Sequence, residues 1–132
     1  MSRILLDTST YTAFMRDHAE TVSLLREADQ IFINATVIGE LLGGFRAGGR
    51  RAKNESELER FVSSPRVAIL DIDEDTAQRY AEIYATLRSA GTPIPTNDLW
   101  IASSAMQYGL QLVTLDAHFT RVPQILTRFL RR

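Results

Sequence analysis

The sequence has no cysteine. That excludes disulfides, thiolate metal sites and a cysteine nucleophile, and leaves oxygen donors or the two histidines, His18 and His118, to hold any metal. Lysine is almost missing as well: all but one of the 15 basic residues are arginine, the exception being Lys53. Arginine suits bidentate contact with phosphate or carboxylate, although a coding bias would produce the same excess. No run approaches the roughly 18 to 20 consecutive apolar residues of a membrane span. The N-terminus lacks a basic segment followed by an apolar run and a small-residue cleavage site, so the chain reads as soluble and cytoplasmic. An excess of one charge is missing too, the net charge being -1; nucleic-acid binding does not follow from overall charge. The balance hides a split, because Arg121, Arg128, Arg131 and Arg132 close the chain with no acid among them. Neither a Walker-type phosphate loop nor a dinucleotide fingerprint is found.

What is present fits one domain over residues 1–132, with 45% hydrophobic content to fill one core. Ile4-Leu5-Leu6 is a short apolar run closed by Asp7, and Thr8-Ser9-Thr10 starts a helix. A helix from Glu20 to Asp29 leads to a second strand, Ile31-Phe32-Ile33, ending at Asn34. Thr36 then caps a helix that carries Glu40 and fades at Gly43-Gly44 or Gly48-Gly49. A charged helix from about Arg51 to Val62 stops near Pro65. Val67 to Leu70 repeats the pattern of apolar strand closed by an acid, Asp71. Asp73 or Asp71 caps a long helix reaching Ala90 and stopped by Gly91, and Asp71 is assigned to that cap rather than to a site. Thr96 caps a helix whose first turn holds Asn97 and Asp98, and Gly109 ends it. Leu110 to Leu115 is a fourth strand closed by Asp116, and Gln124 to Leu126 adds a short edge strand. Strands alternating with helices predict an α/β fold with a mainly parallel sheet of four to five strands, because parallel neighbours need long crossovers.

In such sheets ligands sit outside the carboxyl ends of the strands. Asp7 and Asp116 lie at such ends, Asp98 lies in the first turn of the helix before the fourth strand, and Glu40 lies early in the helix after the second. Brought together, they would repel one another until protonated or neutralised by a cation, and magnesium or manganese is the natural one for carboxylate oxygen. Taken singly, each aspartate reads equally as a helix cap. Glu40 is harder to dismiss, sitting among Val37, Ile38, Leu41 and Leu42.

In combination and order, Leu6-Asp7-Thr8-Ser9, the Thr36 to Leu42 stretch with Glu40-Leu41, Asn97-Asp98-Leu99-Trp100-Ile101-Ala102, and Leu112-Val113-Thr114-Leu115-Asp116-Ala117-His118-Phe119 resemble the acidic motifs of PIN-domain nucleases. The resemblance covers essentially the whole chain and implies the three-layer PIN-like α/β fold. It implies that Asp7, Glu40, Asp98 and Asp116 hold one or two magnesium or manganese ions, with Thr114 as an accessory polar group lining the site. It implies endonucleolytic hydrolysis of RNA by a metal-activated water. Chain size and the Asn-Asp-x-x-Ile-Ala form of the third motif resemble VapC toxins most. Those imply a VapB-type antitoxin partner, a homodimer, and structured RNA such as tRNA as substrate. Alternatives are a stand-alone RNA-processing PIN nuclease and a non-catalytic PIN module that binds RNA or a partner. Receiver domains and aspartyl-phosphate phosphatases share the topology but need a lysine on a late strand, or an aspartate where Ser9 stands.

Around these acids, Thr8, Ser9 and Asn97 read as helix caps or as props for their acidic neighbours. Arg46, Arg50, Arg51 and Lys53 read as a solvated helix face or one rim of an RNA groove, and the C-terminal arginines read the same way, with Arg131 and Arg132 as a mobile end. His118 reads as structural or as a substrate contact, and Trp100 as packed rather than stacked on a base. Tyr80, Tyr84 and Leu87 form a core or dimer stripe.

Overall fold

The computed structural model describes residues 2–132. In β1 (Arg3–Leu6) three buried apolar residues follow Arg3, and the strand ends at Asp7, whose carboxylate accepts the Thr10 N–H and so caps α1 (Thr8–Met15). α2 (Ala19–Glu27) starts on His18 and leads into β2 (Gln30–Asn34). Asn34 closes that strand and caps α3 (Ala35–Ala47) through the Val37 N–H. The expected cap, Thr36, lies inside the helix instead. Asn34 prevails because its side chain is buried and its amide must also be satisfied, which Ser104 Oγ does at 3.0 Å. α3 also continues through Gly43-Gly44, because Leu41 and Phe45 on either side pack into the core while the two glycines face solvent.

Beyond it come α4 (Arg51–Val62), β3 (Val67–Leu70), α5 (Glu74–Ala90), α6 (Thr96–Tyr108), β4 (Gln111–Thr114), a short 3-10 helix (Ala117–Arg121) and β5 (Leu126–Phe129). Asp73 caps α5 in a reciprocal box with Thr76. The assignment of that cap to Asp71 is corrected, since Asp71 lies two residues outside. Thr96 likewise does not cap α6. It is the first residue of the helix, Pro95 precedes it, and among the described residues no side chain caps that end. Gly91 and Gly109 stop α5 and α6 in the left-handed region, with φ of 69° and 63°. The last strand sits at 126–129 rather than 124–126. It is an edge strand with Leu126, Arg128 and Phe129 all exposed, so no alternation marked its position.

All five strands are parallel, in the order β3-β2-β1-β4-β5. β1 is central, pairing Leu5 with Phe32 of β2 on one side and with Leu112 of β4 on the other. Leu5 and Leu112 face a core that includes Ile83, Leu87, Ile101 and Phe119, while Ile4, Leu6 and Val113 face a second one built on Leu25 and Ala28. Helices thus cover both faces of the sheet, giving the three layers expected. From β1 the chain moves outward to β3, then returns to the far side of β1 for β4. At such a reversal the loops diverge and leave a crevice outside the carboxyl ends of the strands. Among the described residues no helix is long and apolar enough to cross a membrane.

Candidate active site

Asp7 ends β1 and Asp116 lies two residues past β4, on the two strands flanking the reversal. Asp98 reaches the same place from the first turn of α6, and Glu40 from the middle of α3. The four acids line one cleft of about 580 Å³.

Asp7 is only 3% exposed. Burial pushes its pKa above the ordinary carboxylate value, and the donors around it pull the other way, the Thr114 hydroxyl first, then the Thr10 N–H and the Ser9 and Thr10 hydroxyls. Thr114 Oγ1 donates to Asp7 Oδ2 at 2.6 Å and accepts the Asp116 N–H at 2.9 Å. Ser9 Oγ lies 2.8 Å from Asp7 Oδ1 and accepts the Leu115 N–H at 3.1 Å. Two side chains therefore lash the end of β1 to the segment leaving β4. Thr114 does not line the cleft as the sequence suggested: it is fully buried, and its hydroxyl is committed to Asp7 and the Asp116 backbone.

Glu40 is held by Thr8 Oγ1, which donates to Oε1 at 2.6 Å, and by Asn97 Nδ2, which donates to Oε2 at 3.3 Å. Thr8 and Asn97 are thus props for an acid rather than caps. Asn34 ties the same pair of helices together, donating to Ser104 Oγ and to the Trp100 carbonyl of α6. The Asp98 side chain is 15% exposed. Burial raises its pKa, the hydrogen bond from His118 opposes that, and the charges of Asp116 and Glu40 raise it further.

His118, read from the sequence as structural or as a substrate contact, stands between two of the acids. Its backbone N–H donates to Asp116 Oδ1 at 2.9 Å, and its ring Nδ1 lies 3.1 Å from Asp98 Oδ2 and 3.2 Å from Asp116 Oδ1. The signal available was the Asp116-x-His118 spacing, which the 3-10 helix turns into side-by-side groups. Asp98, Asp116 and His118 each offer one donor atom within 4.8 Å of the others, a spacing able to hold a metal ion.

The basic residues separate. Arg16 and Arg132 line the acidic cleft. Arg16 also lines a neighbouring cleft of about 390 Å³ with Arg50 and Lys53, whereas Arg51 is paired with Glu55 at 2.7 Å. Arg121 is bonded to the Pro93 carbonyl, and Arg128 lies 4.0 Å from Glu20. His18 Nε2 lies 2.8 Å from the Arg131 carbonyl, beside the cleft that Arg132 lines. Trp100 is packed, its ring centroid 4.3 Å from that of Tyr80. Leu87 is core, and Tyr84 is 45% exposed.

The model of the PIN domain matches residues 4–125. Ribonuclease VapC2 of Rickettsia felis is 30% identical over 127 residues, covering 92% of this chain and 93% of its own. The tRNA(fMet)-specific endonuclease VapC of Salmonella typhimurium is 29% identical over 128 residues, covering 95% and 96%. The structure of VapBC2 from Rickettsia felis bound to a DNA fragment from its promoter superposes with a TM-score of 0.84 at 28% identity, over 96% of this chain and 98% of that one. Family model, relatives and fold agree with the acidic cleft in one conclusion: the chain belongs to the PIN domain family, among its VapC ribonucleases.

Proposed function

We propose that this chain is a divalent-metal-dependent endoribonuclease, the toxin of a VapBC-type pair, and that Asp7, Glu40, Asp98 and Asp116 are its metal-binding and catalytic residues. The observation that carries this reading is the convergence of four acids from four separate elements on one cleft at the sheet's switch point. Burial raises the pKa of two members of this cluster, and a bound cation would favour their charged forms. The cluster's donors are mainly hard oxygens, which fits magnesium or manganese. A divalent cation there supplies Lewis-acid charge to a phosphodiester and lowers the pKa of a coordinated water.

The chain's own residues do the rest. Asp98 and Asp116 would hold the cation from α6 and the segment after β4, and Asp7 would hold it from the centre of the sheet. Thr114 and Ser9 keep the Asp7 carboxylate aimed and desolvated, as positioning residues. Glu40, fixed by Thr8 and Asn97, would add a carboxylate from α3. Arg16 and Arg132 would neutralise flanking phosphates, and Arg50 and Lys53 extend that basic wall along the adjoining cleft.

Two finer points rest on relatives. The Rickettsia and Salmonella structures are VapBC complexes bound to DNA, which supports a VapB-type antitoxin as partner. The Salmonella relative is named for tRNA(fMet), which supports structured RNA such as tRNA as substrate. A homodimer and a cytoplasmic location complete the reading.

The test is cleavage of structured cellular RNA by purified, antitoxin-free protein, with and without magnesium or manganese, beside an Asp98→Asn variant. Metal-dependent cutting lost in the variant is expected. A folded protein that cuts nothing would shift the assignment to a non-catalytic RNA- or partner-binding module.

A further inference from the structure

We infer that His118 is a metal ligand, a nitrogen donor added to the carboxylates, and that it biases the site toward manganese and later first-row ions over magnesium. This rests on the proposal that Asp98 and Asp116 bind a divalent cation.

The inference starts from three distances. His118 Nδ1 stands 3.1 Å from Asp98 Oδ2 and 3.2 Å from Asp116 Oδ1, and one donor atom from each of the three residues falls within 4.8 Å of the others. Two ligands at right angles around an ion with bonds of about 2.1 Å lie about 3.0 Å apart. The imidazole nitrogen therefore already stands at coordination spacing from both carboxylates. Whether Nδ1 donates or accepts across that gap depends on the tautomer. The ring is 38% exposed, so a neutral imidazole can carry its proton on Nε2, where water solvates it, and turn the Nδ1 lone pair toward the same two oxygens.

The mounting is prepared for this role. Asp116 and His118 share one tight turn, locked by the bond from the His118 N–H to Asp116 Oδ1 at 2.9 Å. Both donors are thus oriented before any ion arrives, which lowers the ordering cost of binding. A histidine kept only for packing would be enclosed by apolar groups. This one is partly open to solvent and directed at two acids.

An imidazole changes which ion the site prefers. Magnesium takes oxygen ligands and gives up water reluctantly, whereas manganese and the metals after it accept imidazole with rising affinity. Replacing His118 should weaken manganese binding by roughly ten-fold and leave magnesium binding nearly unchanged.

The experiment is pulsed electron paramagnetic resonance on the metal-free protein loaded with manganese alone, together with calorimetric titration of each ion. The full chain is compared with His118→Asn and His18→Gln, the latter replacing the only other histidine. Modulation from a directly bound ¹⁴N is expected in the wild type and in His18→Gln and should vanish in His118→Asn, with the manganese-to-magnesium affinity ratio falling about ten-fold. Bound manganese without nitrogen coupling in the wild type, or coupling that survives in His118→Asn, overturns the inference while leaving the carboxylate site intact. No manganese binding by the wild type overturns both. The wild-type spectrum decides the matter even if a variant fails to fold.

Discussion

The Thr114 hydroxyl donates to Asp7 Oδ2 across 2.6 Å, joining residues 107 positions apart in the chain. Because the same oxygen accepts the Asp116 N–H, one buried hydroxyl sets the separation of two acids. Thr114→Val keeps the shape and removes that oxygen, leaving a buried carboxylate and a backbone N–H without their partner. We expect a loss of about 1–3 kcal/mol in urea unfolding, with Thr114→Ser recovering most of it. Losing this donor also raises the Asp7 pKa further, so the acid limb of the cleavage–pH profile should move to higher pH.

Asp98→Asn should separate stability from activity. Burial holds the Asp98 pKa in the folded state above its ordinary value of 3.8, so its ionised form opposes folding at neutral pH. In chelator the variant should therefore melt higher than wild type. The wild type regains that difference as pH falls through the raised pKa toward 3.8, and the gap should close there. Cleavage should fall by about 10²-fold or more. A variant that melts no higher at neutral pH would contradict the assigned cause of the shift.

Protons and cations compete for the same oxygens. Asp7 and Asp98 both have raised pKa values, so thermal stabilisation by added magnesium or manganese should fade as pH falls through those raised values toward 3.8. Melting curves with and without the ion across that range measure it. A constant stabilisation would place the ion elsewhere.

Arg16 and Arg132 should be read through salt. With Asp98→Asn as a non-cleaving background, Arg16→Gln and Arg132→Gln should each weaken binding of structured RNA and reduce the salt slope by about one. Fluorescence anisotropy at several ionic strengths provides the slope. Arg51→Gln, at a residue already paired with Glu55, should leave the slope unchanged.

The two candidate caps of α5 can be separated by mutation. Asp73 accepts the Thr76 N–H at 3.0 Å and has a lowered pKa, set first by that bond. Its contribution is present above the unfolded value, 3.8, and is lost as pH falls through the lowered folded value. Asp73→Ala should lower the melting temperature at neutral pH, and Asp71→Ala should stay within about 0.5 kcal/mol of wild type.

That pair illustrates what could be read in advance. An acid closing an apolar run is legible wherever it occurs, so Asp7 and Asp116 stood out, and Asp98 did so as an acid in a helix's first turn. Position within two residues was not legible, because Asp71 and Asp73, or Asn34 and Thr36, are equally able to cap. Tertiary contacts made those choices: Gln107 donates to Asp73, and Ser104 satisfies Asn34. Thr114 was named but misplaced, since only the β1–β4 pairing shows that its hydroxyl turns inward. His118 depended on a five-residue 3-10 helix that no periodicity announces. β5 lacked alternation because an edge strand has little to bury.

The placement of β1 in the middle of the sheet has a consequence for how the protein is born. β1 emerges from the ribosome well before its neighbour β4, so the pocket's two central walls are made far apart in time. A nascent chain that already displays Asp7, Glu40 and Asp98 still lacks Thr114 and Asp116. Contacts of such long separation form late and slowly. The cleft proposed to attack RNA therefore stays unmade until β4 has emerged and taken its place beside β1.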